Sequence, residues 1–379
     1  MKVLVTADLH AETLAALEAL GLVVEFKPML SAQELPDWLP GAHILVTGRG
    51  RVTRRAIEAA SKLQCIVRAG VGIDGIDTQA ASERGIAVAD CGEVDAQARA
   101  ELALGLILSL DRGIGAGTTV EAAGLRGRTL GLHGWDKSAE HLGVVARALG
   151  MRVLVHAPQS LSPTVAIERG VHWCDAVDSL YGRSDIVSIH AGPADGLLAN
   201  RDLIEKLRPH ATLVDVSGRG HLDLKAIHER LLGGTLRVGL DGYDLSDYGD
   251  DVPFSIDVSP LLRATFQKAS DTAQVQENIA HLLVSALQTF TESRHLPNTR
   301  NALNEKPSTL LTIRHHPAPE VISAIFEALK EKGVSVACVE RHVFKDRKAA
   351  VLRIGLDSPL TREVRAELSA LSGVLDVEA

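Results

Sequence analysis

At 379 residues the chain exceeds one ordinary domain and suits two or three, and with 46% apolar and 23% charged residues each can bury a core without disulfides. A net charge of −8 and only 3% aromatic residues argue against a nucleic-acid partner, which calls for a basic face and rings to stack on. The four cysteines, Cys65, Cys91, Cys174 and Cys338, stand apart with no C-x-x-C pair, so neither a metal site nor a disulfide framework is expected.

The opening Met1-Lys2-Val3-Leu4-Val5 reads as a strand rather than a signal peptide, and no apolar run reaches membrane-spanning length, so a cytoplasmic protein is expected. Strands are predicted over 2–5, 42–46 and 65–68, with helices over 14–20 and 54–60 between them. Such alternation implies a parallel sheet with right-handed crossovers. A strongly apolar helix over 98–110 and a Gly-rich passage over 113–127 come next. A second series places strands over 129–133, 152–156, 186–190, 212–216 and 237–240, closed by a long helix over 272–291. After a linker near 305–308 the rhythm changes to strand 310–314, helix 319–332, strands 334–343 and 349–355, helix 361–371 and strand 374–378. That β-α-β-β-α-β order is the ferredoxin-like pattern.

The run from Leu63 to Asp77, with Arg68-Ala69-Gly70-Val71-Gly72 at its centre, resembles the substrate-domain signature of the D-2-hydroxyacid dehydrogenases. Ala100-Glu101-Leu102 resembles the start of that family's interdomain helix, Arg128-Thr129-Leu130-Gly131-Leu132 its first nucleotide-domain strand, and Leu296-Pro297-Asn298 its return segment. The layout is closest to phosphoglycerate dehydrogenase with a C-terminal ACT-like domain. The resemblance implies an α/β protein of two Rossmann-like doubly wound domains and an α+β tail. A flavodoxin-like substrate-binding domain would take 1–98 and 292–304, a nucleotide-binding domain 99–291, and the ACT-like domain 308–379. It also implies that the turn Ala69, Gly70, Val71, Gly72 offers backbone N–H groups to a substrate carboxylate, glycine allowing the close approach.

The family binds NAD through G-x-G-x-x-G, and the aligned stretch here is Gly134-Trp135-Asp136-Lys137-Ser138-Ala139. Asp136 stands where the pyrophosphate should approach a helix N-terminus. Two unit charges about 4 Å apart repel by roughly 4 kcal/mol at an effective dielectric of 20. Lys137 is expected to offset part of this charge. Ala157 replaces the acidic residue that holds the adenosine ribose, and Gln159 and Ser160 substitute weakly for an NADP-type arginine. His190 and Asp241 keep family positions, so NAD or NADP binding is expected to be weakened, more at the adenine end than at the nicotinamide end.

The catalytic trio departs further. Gly218 aligns with the family arginine, with Arg219 one residue late; Ser246 aligns with the glutamate and Leu261 with the histidine. His221 and Asp223 form either a new acid–base pair or a loop capping the next helix. His133, ending a strand, reads as a packed residue, and Thr47 stands where phosphoglycerate enzymes tend to have arginine. His315 and His316 open the tail's first loop, where dimer contact suits the sequence better than amino-acid sensing. Two readings stay open. One is a protein that has lost the standard reaction and serves as a small-molecule binder or a repurposed enzyme. The other is an NAD(P)-dependent 2-hydroxyacid oxidoreductase using Arg219, His221 and Asp244. Either way the expected partner is a small carboxylate, with no nucleic acid and no membrane, in a homodimer or homotetramer, the apolar helix over 100–110 having too little polar surface to face water.

Overall fold

The computed structural model describes residues 1–116, 120–190, 198–217, 221–242, 260–265, 268–302 and 307–378, which fall into two compact units, Met1–Ala302 and Leu303–Ala379. The first unit holds two parallel sheets. Strands β1 (Lys2–Val5), β2 (Val23–Phe26), β3 (Ile44–Thr47), β4 (Cys65–Arg68) and β5 (Ala87–Ala89) lie in the order β2-β1-β3-β4-β5, the flavodoxin-like order. Every residue of β3 is buried, because both faces of the sheet carry a core: Leu4, Leu45 and Ile66 on one side, Val3, Val5 and Val46 on the other.

The second sheet comprises β6 (Thr129–His133), β7 (Arg152–His156), β8 (His172–Trp173), β9 (Ile186–Ile189), β10 (Ala211–Asp215), β11 (Leu236–Leu240) and β12 (Leu262–Ala264), in the order β12-β11-β10-β9-β6-β7-β8. The order reverses between β6 and β9, where parallel sheets open a ligand crevice beyond their carboxyl ends. Leu130 and Leu132 point into the core shared with the long helix Ala96–Arg112. The alternate positions face the helix Val177–Arg183: a Cβ on Gly131 would meet Ser184, and His133 meets Tyr181. Close packing also fixes Gly239, where a Cβ would lie 3.0 Å from the Leu106 side chain.

The long helix explains its own apolar content in part. Ala100, Ala103, Leu106, Ile107 and Leu110 are buried, and Gly113, left-handed at φ 66°, stops the helix. Leu102, Leu104 and Leu108 stay half-buried. Other helices begin where the sequence supplies a short acceptor: Thr53, Asp77, Asn200, Asp223 and Thr272 each accept the N–H three residues on.

The second unit is one antiparallel sheet, β13 (Thr309–His315), β14 (Val336–Val343), β15 (Ala350–Leu356) and β16 (Val374–Glu378), ordered β14-β15-β13-β16. Helices Pro319–Glu331 and Arg362–Ala370 close its core of Leu311, Ile313, Ile325, Leu352, Ile354 and Leu368, as the ferredoxin-like order predicts. Among the described residues no helix is long and apolar enough to cross a membrane.

Candidate functional site

The crevice of the second sheet is bordered by the turn that follows β6. Gly134 takes φ 94° and donates its N–H to His156 O at 3.0 Å, which turns the chain into the helix Lys137–Ala148. Asp136 is the N-cap of that helix, its Oδ1 accepting Ala139 N–H at 2.8 Å and the Ser138 hydroxyl at 2.7 Å. Its other oxygen accepts Arg99 Nη1 at 2.9 Å, and Arg99 Nε bonds Asp95 Oδ1 at 3.0 Å. Lys137 N–H donates to Glu93 Oε1 at 3.1 Å. Two donors at the helix start are thus taken by carboxylates of this chain. The Lys137 ammonium does not offset Asp136 as expected: it pairs with Glu140 at 2.9 Å, and the cation on Asp136 is Arg99.

Donor and acceptor chemistry orders the rest of this network. A carboxylate only accepts, so Ser138 spends its proton on Asp136 and accepts from His190 Nδ1–H at 2.7 Å. His190 Nε2 then accepts from the Ser188 hydroxyl at 2.9 Å. Burial presses the His190 imidazole down to about 4, outweighing the nearby Asp136 charge, so the ring is neutral at pH 7. Burial also pushes the Asp136 carboxyl up, yet it lies below the usual carboxylate range because of His190, Arg99 and its hydrogen bonds. With His190 neutral, Arg99 is the charge that holds it.

After β7 Ala157 stands where the family resemblance implies an acidic residue, and it is buried in the core. Half-buried His133 and His156 end neighbouring strands in register, their rings 6.3 Å apart. His156 Nδ1 bonds Cys174 O at 2.9 Å. His133 packs edge-on against Tyr181, its Nδ1 3.0 Å from the Tyr181 hydroxyl. Tyr181 is fully buried, and burial with the Asp215 charge pushes its phenol up, keeping it neutral.

On the other side of the reversal, burial lifts the Asp241 carboxyl to about 6, against bonds from Ala269 N–H (3.2 Å) and Thr265 Oγ1 (3.3 Å). Buried Asp215 on neighbouring β10 is raised too, for the same reason, although Ser217 gives it two hydrogen bonds. His221 is buried near Asp215, and Asp223 caps the helix Leu224–Leu232 through Ala226 N–H at 3.0 Å. Leu261 packs on the second sheet's core. Arg219, Asp244, Gly218 and Ser246 lie outside the described residues.

In the first sheet the turn Ala69, Gly70, Val71, Gly72 follows β4. Ala69 N–H donates to Thr47 O, Gly70 N–H to Arg68 O, and Gly72 N–H to Asp90 Oδ2 at 2.8 Å. Val71, exposed, is left as the turn residue whose N–H has no partner among the described residues. Thr47 is buried at the end of β3. Arg68 donates to Asp74 O, and burial together with the Arg49 charge lowers its pKa. Of the acids that matter here, Asp90, Glu93, Asp95 and Asp215 were not singled out by sequence, and neither were Arg99 and Tyr181. In the second unit His315 is fully buried, with Nδ1 on His316 O at 2.7 Å.

Residues 3–301 match the family model of the D-isomer specific 2-hydroxyacid dehydrogenase catalytic domain. The D-3-phosphoglycerate dehydrogenase of Methanocaldococcus jannaschii is 32% identical over 68% of this chain, a match that spans 52% of its own length. The Escherichia coli protein of the same name is 25% identical over 99% of this chain and 96% of its own. A solved structure from Thermus thermophilus superposes with TM-score 0.69 and 28% identity, covering 79% of this chain and 100% of that one.

Proposed function

The chain belongs to the D-isomer specific 2-hydroxyacid dehydrogenase family, and we propose that it uses the family's cleft to hold a small carboxylate without the standard hydride transfer. The observation that carries this reading is the Asp136 carboxylate, seated at the helix start and bonded to Ala139, Ser138 and Arg99. A dinucleotide's pyrophosphate does not fit there as the seat stands, because two of its backbone donors, the N–H groups of Lys137 and Ala139, are spent on carboxylates and its charge is already negative. Ala157 adds nothing for the ribose, so NAD or NADP binds weakly. Leu261, half-buried against the core, supplies no proton to a carbonyl oxygen, and a positioned acid–base group is worth about 10²–10⁴-fold in rate.

The ligand end of this reading is the turn after β4, where Val71 N–H and the Arg68 guanidinium suit a carboxylate. Residues 1–98 with 292–304 then act as the ligand-binding domain, and 99–291 as the former nucleotide domain. The tail, residues 308–379, is ACT-like. It serves assembly: β14 is a sheet edge exposed along nearly its whole length, with Val339 and Val343 uncovered, and the half-buried leucines of helix Ala96–Arg112 offer a second contact. On this reading the protein works as a homodimer or homotetramer in the cytoplasm.

A second reading has one observation in its favour. Asp241, at the family's nicotinamide-side position, is held by Ala269 and Thr265 and has its carboxyl lifted to about 6, which suits an oxidoreductase with relocated residues such as Arg219, His221 and Asp244. Deuterium-labelled NADH and NADPH offered with a panel of 2-oxo acids, phosphohydroxypyruvate included, separate the two. No label above background is expected in product. Label transfer abolished by Arg219→Ala or His221→Ala would overturn the proposal.

A further inference from the structure

The chain crosses from the first sheet to the second through residues 90–95, between β5 and the helix Ala96–Arg112. This crossing is pinned at both ends. On the first-sheet side Asp90 accepts Gly72 N–H at 2.8 Å, Gly92 N–H at 3.1 Å and Arg300 Nε at 2.8 Å. On the second-sheet side Glu93 accepts Lys137 N–H, and Asp95 reaches Asp136 through the two-ended Arg99 guanidinium. Arg99 and Asp95 are 12% and 10% exposed, so water screens this link little.

We propose that these contacts form a clamp: carboxylates of the crossing segment and of Asp136 hold the start of the helix Lys137–Ala148, so an anion can enter that seat only by releasing the crossing. Glu93, Arg99 and Asp95 are positioning residues in this device. Because coupling is reciprocal, anything that loosens residues 90–95 also frees the seat, and anything that fills the seat loosens residues 90–95. Crossings between lobes are where backbone torsions change when two lobes move. The clamp therefore sets the two sheets of the first unit in one arrangement without any ligand. It stands on contacts alone and holds whether or not the cleft turns over a substrate.

Hydrogen exchange on the full chain, read in peptides covering 90–100 and 134–142, tests it. Arg99→Met should speed exchange in both peptides by about tenfold or more, a charge-assisted bond being lost in a site of low exposure, and Glu93→Ala should speed it in both by less, its bond being exposed. Peptides from β1 to β4 and from the second unit should stay unchanged, which also controls for folding. Arg99→Lys, keeping the charge, should restore part of the protection. In Asp136→Gly, inorganic pyrophosphate should protect 137–139 while speeding exchange at 90–95. Acceleration confined to 134–142 in the first two variants overturns the clamp. So does pyrophosphate protecting both segments, and so does no response to it in either, since removing Asp136 must open the seat.

Discussion

The turn after β6 and the turn after β4 are built alike and filled differently. Each leaves a buried parallel strand through glycines at positive φ, 94° at Gly134 and 153° and 76° at Gly70 and Gly72, and each exposes backbone N–H groups. After β6 the chain's own acids reach the donors, Asp136 at Ala139 and Glu93 at Lys137, and Arg99 pairs with Asp136 from inside. After β4 Asp90, paired with Arg300, takes Gly72 alone among the turn's donors, Val71 N–H is left, and Arg68 and Arg49 lie alongside. A glycine at a strand end thus creates donors in both places. Whether a ligand is needed to satisfy them depends on whether an acid from elsewhere in the chain arrives first.

The largest test of that contrast is Asp136→Gly. It removes a charge whose repulsion of a phosphate about 4 Å away is roughly 4 kcal/mol at an effective dielectric of 20, and it leaves Arg99 to meet the anion. NADH affinity measured by calorimetry should rise by up to about a thousandfold. An unchanged Kd would mean that Asp136 is not what closes this end. Next in size, Arg99→Met leaves Asp95 and Asp136 without their shared cation. Breaking a buried pair costs about 3–5 kcal/mol, and Asp136 keeps 22% exposure, so a loss near 3 kcal/mol is expected in urea unfolding. A loss below about 1 kcal/mol would put the pair among ordinary surface bridges.

How far these residues were legible in the sequence follows from distance along the chain and depth in the fold. The inner strands of both parallel sheets were foreseen within a residue or two, because burial on two faces writes a dense apolar run. The four that were not foreseen, β2, β5, β8 and β12, are the edges of those sheets, only two to four residues long. The antiparallel tail was legible throughout, its strands being five to eight residues long. At the site, Asp136 was visible because it breaks a local motif. Its partner Arg99 lies 37 residues away, Glu93 lies 44 from Lys137, and Tyr181 lies 48 from His133, with no local pattern linking them. Lys137 was assigned to Asp136 because it is adjacent in sequence, but on a helix it reaches Glu140 instead.

The buried ring behind the seat adds a pH dependence of its own. His190 titrates near 4 in the folded chain and near 6.5 when unfolded. Between those values the unfolded state binds a proton that the folded state refuses. Stability attributable to His190 is therefore full above about pH 6.5 and falls as pH drops toward 4, by roughly 3 kcal/mol in all. Denaturant midpoints taken from pH 7 to pH 4 should show this decline, and His190→Gln should flatten it. A wild-type profile no steeper than that of the variant would locate the acid sensitivity elsewhere.

The smallest effect isolates one bond of the seat. Asp136 and Asp223 are both N-caps that accept the N–H three residues on, at 2.8 and 3.0 Å. Asp223 has the cap alone to offer its helix, whereas Asp136 also carries Ser138 and Arg99. Asp223→Ala should cost about 1 kcal/mol in urea unfolding, the usual worth of a cap, and leave ligand binding untouched. Asp136→Ala loses the same cap and, in addition, leaves Arg99 with one carboxylate in place of two. Its cost above that of Asp223→Ala therefore measures the network that fills the seat. Equal costs would mean that Asp136 is only a helix cap, and that the contrast between the two turns lies in Glu93 and Ala157 rather than in this carboxylate.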